Sequence, residues 1–166
     1  MRDFVAPRWL RSPHLQTLGA AVPLFAPPRS HARLPSEDLR VPVEGGLLHA
    51  RAWWAGPGRH LAVVVVHGIG GSSEARYVLR AAVALHRAGY HVVRLDLRGA
   101  GESVPDAPSL YHAGLSSDLD AVLEHLARDP RVSGTAVLGG SGGGSLALTR
   151  AGEGGARPPA HVRARA

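Results

Sequence analysis

The pentapeptide Gly139-Gly140-Ser141-Gly142-Gly143 joins an apolar run, Thr135-Ala136-Val137-Leu138, to a helix-like run, Ser145-Leu146-Ala147-Leu148. Strand, sharp glycine bend, serine, helix is the context that turns a loose G-x-S-x-G pattern into a candidate nucleophile elbow. The reason is local. The serine occupies a strained turn, its hydroxyl projects from the edge of the sheet, and glycines on both sides keep side chains out of the crowded bend.

The remaining chain supplies the elements such a turn requires. Glu37 to Val43 and Leu47 to Trp54 flank Glu44-Gly45-Gly46 and read as an antiparallel hairpin. Leu61 to Val66, ending in four valines, reads as a strand buried on both faces. Ser72 or Ser73 is the expected cap of a helix to about Ala88, in which Val78, Ala81, Ala82 and Leu85 share a face and Gly89 ends the run. His91 to Leu95 is the next strand, followed by a long connection, 96–113, with Gly99, Gly101, Pro105 and Pro108. Ser117-x-x-Asp120 has the form of a capping box ahead of Leu119, Val122, Leu123 and Leu126. The order β-β-β-α-β-α-β-α predicts a doubly wound α/β sheet. Residues 1–35, rich in proline and arginine, read as an irregular N-terminal extension. Residues 36–155 form the α/β domain, and 156–166 read as a tail or the start of a further strand.

Composition narrows the chemistry. Without cysteine, disulfides and thiolate metal sites are excluded. All 19 basic residues are arginine, which removes P-loop and Schiff-base lysines. The net charge of +6 would suit an anionic partner, but the arginines are scattered and no nucleic-acid motif accompanies them, so no nucleic-acid partner is expected. The ten histidines show no metal-ligand spacing, and neither metal nor cofactor is expected. No run of residues approaches a transmembrane span. Asp3 and Pro23 spoil a secretory leader around Leu18 to Ala26, so the default location is cytoplasmic. Oligomeric state leaves no mark in the sequence.

Serine hydrolysis needs a nucleophile, a base, an orienter for the base and an oxyanion hole. Ser141 is the candidate nucleophile. The backbone N–H of Gly142 supplies half of an oxyanion hole, and that of Ile69 in His67-Gly68-Ile69-Gly70-Gly71 the other half. Gly68, Gly70 and Gly71 let that loop turn, and His67 reads as the structural histidine that holds it.

These segments resemble the α/β-hydrolase superfamily through HGIGGSS at 67–73, LDLRGAGES at 95–103 and the serine elbow. The likeness sharpens toward the YheT-like esterase branch at Trp9-Leu10-Arg11-Ser12-Pro13-His14-Leu15-Gln16-Thr17, at Tyr111-His112-Ala113-Gly114 and at Asp118-Leu119. Where that branch usually has a bulky residue on each side of the serine, Gly140 and Gly142 stand here, which should loosen the turn. The resemblance implies hydrolysis of a small carboxylic ester or lipid-like substrate by a Ser-Asp-His triad on about eight strands, with Asp and His contributed after later strands. It also implies that this chain holds the N-terminal portion, about five of the eight. No aspartate follows Ser141; Glu153 and His161 do, but ahead of the expected sixth strand. The chain by itself is therefore expected to be an inactive, incomplete hydrolase. By the same resemblance, His14 and His112 are not the catalytic base. Asp96 and Arg98 read as hydrogen-bonding ties for the loop after the fourth strand, and Asp118 and Asp120 as first-turn helix charges.

Two other readings compete. Gly68-Ile69-Gly70 after a strand, with Asp96 ending the next one, mimics a dinucleotide-binding fingerprint. It fails where Ser73 replaces the third glycine and in giving His67 and Ser141 no role. The other is a non-catalytic fragment with no activity.

Overall fold

The computed structural model describes residues 34–107, 109–112 and 114–153, together with 12, 14 and 15. Expectations that fall on residues 1–11, 13, 16–33, 108, 113 and 154–166 lie outside the described residues, and these include nearly all of the N-terminal extension and the whole of the tail.

Five strands make one mixed sheet. β1 (Glu37–Val43) and β2 (Gly46–Trp53) form the expected hairpin, with Val43 facing Gly46 in register. Its turn is closed by Gly45 at φ 72°, a conformation glycine adopts without strain. β2 then pairs antiparallel with β4 (His91–Asp96). β4 runs parallel to β3 (His60–Val66), which on its other side runs parallel to β5 (Val132–Gly139). The strand order is β1-β2-β4-β3-β5.

The strand period of two sorts side chains between the two faces. Val65 and Val92 lie under α1 (Arg76–Arg87), packed with Trp53, Val78, Leu79, Ala82 and Val83. Val64, Val66, Val93 and Leu95 point the other way, beneath α2 (Ser116–Ala127) and α3 (Gly142–Glu153). Leu119, Val122, Leu123 and Leu126, the stripe read from the sequence, all enter that second core. Helices therefore cover both faces, as the alternating pattern predicts.

Both capping expectations fail, for one reason. α1 begins after Ala75 and has no side-chain cap. Ser73 is instead drawn to Asp96, which accepts its backbone N–H (2.6 Å) and its hydroxyl (2.9 Å). α2 begins after Leu115, also without a side-chain cap, and Ser117 lies inside it. Of the carboxylates near its start, Asp118 pairs with Arg98 and Asp120 with Arg150. In each case a charged partner from elsewhere in the chain claims the polar side chain ahead of a local backbone N–H, because charge-assisted bonds are roughly twice as strong as neutral ones.

Far from the serine turn, His91 closes the bottom of the sheet. Ala55 N–H donates to its Nδ1 (2.9 Å), so the ring proton sits on Nε2 and donates to the Arg131 carbonyl (3.0 Å). Burial, with help from the nearby charges of His60 and Arg131, holds its pKa below the usual imidazole value; the Arg131 carbonyl and Asp129 oppose the shift. The folded state thus binds fewer protons here than the unfolded chain, and stability rises with pH through this window. We expect Tm to fall as pH drops below about 6.5, and His91→Gln to flatten that slope. Glu37 and Asp129, whose pKa values are lowered by their bonds to Arg131, act only in the carboxylate range further down. A Tm identical at pH 7.5 and 5.5 would contradict the assignment.

Candidate active site

The β5–α3 turn places Ser141 at φ 52°, the only non-glycine residue with a positive φ among the described residues. A side chain in this region costs about 1–2 kcal/mol relative to the right-handed one. The surroundings hold it there: Gly140 N–H donates to the Val66 carbonyl (3.0 Å) and Gly143 N–H to the Gly140 carbonyl (3.0 Å). The serine is exposed at the carboxyl end of β5. Gly142 opens α3, so its N–H belongs to the first turn, where the helix itself offers no acceptor.

The loop after β3 comes down on this turn. A Cβ built on Gly68 would lie 2.9 Å from Ser141 Cβ and 3.4 Å from its Oγ. A Cβ built on Gly142 would lie 3.5 Å from Ile69 N and 3.1 Å from Ile69 Cγ1. The structure thus brings Ser141, Gly142, Gly68 and Ile69 together. The Ile69 side chain is 83% exposed beside them. The two flanking glycines are explained by the same contacts. A Cβ on Gly140 would press on the Tyr77 ring (3.0 Å) as one on Gly142 would press on Ile69. The bend is therefore not loose: side chains from α1 and the β3 loop fill the space that bulky residues beside the serine would take.

His67 is fully buried beneath the loop. Leu97 N–H donates to its Nε2 (3.2 Å), which puts the ring proton on Nδ1, donating to the Gly68 carbonyl (2.8 Å). Gly71 N–H donates to that same carbonyl (3.0 Å). Gly70, at φ 69°, turns the chain there. Two tyrosines that the sequence reading did not single out complete the loop. Gly68 N–H donates to Tyr77 Oη (2.6 Å), Tyr111 Oη donates to the Gly68 carbonyl (3.1 Å), and Gly70 N–H donates to Tyr111 Oη (3.1 Å). Tyr111 stands in a quoted motif, but nothing in the sequence says that it reaches back to residue 68. Tyr77, on the open side of α1, gives no signal at all.

Asp96 and Arg98 tie the loop after β4, but of the two expected first-turn charges only Asp118 stands in the first turn of α2, Asp120 lying further into the helix. Asp96 also accepts Glu102 N–H (3.2 Å), tying the loop after β4. Arg98 makes a two-pronged pair with Asp118 (2.5 and 2.7 Å) and donates to the Glu44 carbonyl (2.7 Å). His112 serves a local turn through Gly114 N–H. Glu153 is the exposed last residue of α3, and His161 lies outside the described residues. Among the described residues no hydrogen bond reaches Ser141 Oγ, and no group of three or more metal-binding side chains is present. No helix is long and apolar enough to cross a membrane among them.

Residues 62–164, more than half of the chain, match the alpha/beta hydrolase fold family. The chain belongs to that family. Among solved structures it is similar to an α/β serine hydrolase without a lid from Xanthomonas campestris, at 29% identity and a TM-score of 0.63, over 71% of this chain and 56% of that one. At 24% identity and a TM-score of 0.64 it shares the fold of dienelactone hydrolase from Anabaena variabilis, over 80% of this chain and 62% of that one. At 23% identity and a TM-score of 0.61 it shares the fold of Est1E from Butyrivibrio proteoclasticus, solved with ferulic acid, over 69% of this chain and 47% of that one. The chain of this α/β hydrolase spans about half the length of the first of these and of Est1E. No curated protein matches it.

Proposed function

We propose that this α/β hydrolase is a serine esterase of the YheT-like branch, with Ser141 as nucleophile and the N–H groups of Ile69 and Gly142 as oxyanion donors. The observation that carries the reading is the strained serine on the β5–α3 bend, packed against the Gly68-Ile69 loop. Neither of those two N–H groups is used by a hydrogen bond among the described residues, whereas those of Gly68 and Gly70 are. A carbonyl carbon within reach of Oγ would develop its negative charge between the two free donors, each contributing about 3 kcal/mol to the transition state. The proton acceptor and its orienter belong, in this proposal, to residues outside those described. The substrate is a small carboxylic ester; the exposed Ile69 side chain beside the serine favours an apolar acyl group.

The dinucleotide-binding reading loses support from the same geometry. A pyrophosphate needs loop N–H groups that are free, and two are held by tyrosines. A ribose needs a free carboxylate, and Asp96 is 2% exposed and already accepts three bonds.

Reaction with a fluorophosphonate, mapped by peptide mass spectrometry, tests the proposal. We expect slow but selective modification of Ser141, with exposed serines such as Ser145 left unmodified, because oxyanion donors act even without a base. Ser141→Ala should remove the adduct. Ser141→Gly should remove it and raise stability by about 1 kcal/mol, since glycine relieves the positive φ. Modification spread over serines according to exposure would end the nucleophile assignment.

A further inference from the structure

We propose that Tyr77 and Tyr111 are positioning residues that aim the Ile69 N–H at the oxyanion, acting through the peptide plane between Gly68 and Ile69. The inference rests on the serine-hydrolase reading above.

In a trans peptide the C=O and the following N–H lie in one plane and point in opposite directions. Whatever fixes the Gly68 carbonyl therefore fixes the Ile69 N–H. Three donors converge on that carbonyl oxygen: His67 Nδ1 (2.8 Å), Gly71 N (3.0 Å) and Tyr111 Oη (3.1 Å). The trans peptide then turns the Ile69 N–H away from them, and its nitrogen lies 3.5 Å from where a Cβ on Gly142 would stand. The N-terminal side of Gly68 is held separately, its N–H donating to Tyr77 Oη at 2.6 Å. The next free amide is removed as well, because Gly70 N–H donates to Tyr111 Oη. The two hydroxyls thus select one donor from three consecutive amides and hold its direction.

Each tyrosine comes from a different part of the fold. Tyr77 stands in the first turn of α1, its ring against Gly140. Tyr111 stands in the connection after β4, its ring edge-on to His67 at 5.7 Å between centroids. Four glycine positions around the serine, 68, 70, 71 and 140, are therefore framed by two phenols and one imidazole. Such a donor must be set before reaction, since reorganisation during the chemical step is what an oxyanion hole avoids.

The test uses the full chain with Tyr77→Phe and Tyr111→Phe, which keep the rings and remove only the hydroxyls. The rate of Ser141 modification by a fluorophosphonate should fall about tenfold in each, a part of the roughly 10²–10³-fold that deleting a donor outright costs. Val41→Ala, a core change in β1, serves as a control for stability: it should lower Tm and leave that rate unchanged. In the modified protein the Ile69 amide proton resonance should lie downfield in the parent and move back toward its free position in Tyr111→Phe, which a merely structural role would not produce. Unchanged modification rates in both phenylalanine variants would overturn the proposal. Should the parent chain give no Ser141 adduct, the nucleophile assignment fails, and amide exchange then judges the positioning separately. Gly68 N–H should exchange faster in Tyr77→Phe and Gly70 N–H faster in Tyr111→Phe; protection equal to the parent would overturn it.

Discussion

Arg98→Ala should destabilise the fold by about 3–5 kcal/mol, a large share of the 5–15 kcal/mol typical of a domain. Arg98 and Asp118 are both nearly inaccessible, and their pair is two-pronged. Removing the guanidinium leaves the Asp118 carboxylate without a partner in the first turn of α2, and the Glu44 carbonyl without its donor. The pair thus joins three separate parts of the chain: the β1–β2 turn, the loop after β4, and α2. Arg98→Lys should recover only part of the loss, since an ammonium cannot reproduce the planar fork. Replacing both partners, as Arg98→Met with Asp118→Leu, should recover much more, because no charge then remains unpaired in the interior. Urea denaturation of the three variants decides the point. A loss below about 1 kcal/mol for Arg98→Ala would place this pair with exposed ion pairs.

Gly143→Ala should be as damaging, against the usual direction for a helix. In the interior of an exposed helix, glycine to alanine gains up to about 1 kcal/mol. At Gly143 the new methyl would lie 2.5 Å from the His67 carbonyl oxygen and 2.6 Å from that of Val66. Both are backbone atoms at the end of β3, so neither can swing aside. Something must move, and with two backbone carbonyls met at once the cost falls at the upper end of overpacking, about 3 kcal/mol. The movement separates α3 from the loop that carries Ile69, so selective modification of Ser141 should be lost along with stability. Gly152→Ala is the matched control. It lies in the same helix, nothing lies within 4 Å of its added methyl, and it should stabilise slightly. Equal Tm for Gly143→Ala and the parent would show that α3 does not press on β3 as described.

Much of the architecture was legible from local pattern. The valine run of β3 reads as a doubly covered strand because strands buried on both faces have no polar alternation to show. The stripe Leu119, Val122, Leu123 and Leu126 reads as a helix face because its spacing matches 3.6 residues per turn. Local pattern misled at the helix starts. Ser73 and Asp120 have the right residue types for caps, yet Asp96 and Arg150, distant in sequence, claimed them. A capping bond is a choice between partners, and the sequence shows only the near one.

The site divides along the same line. Sequence alone pointed to the bend at Ser141, because an apolar run, a glycine-flanked serine and a helix-like run follow one another, and to the loop that would face it, because His67-Gly68-Ile69-Gly70-Gly71 follows an earlier buried strand. Tertiary structure decided how tightly the bend is held and which amide is left free. Those depend on Tyr77, Tyr111 and Ile69 arriving from elements that meet only when the sheet is assembled, and a hydroxyl bonded across more than forty residues leaves no period in the chain that carries it.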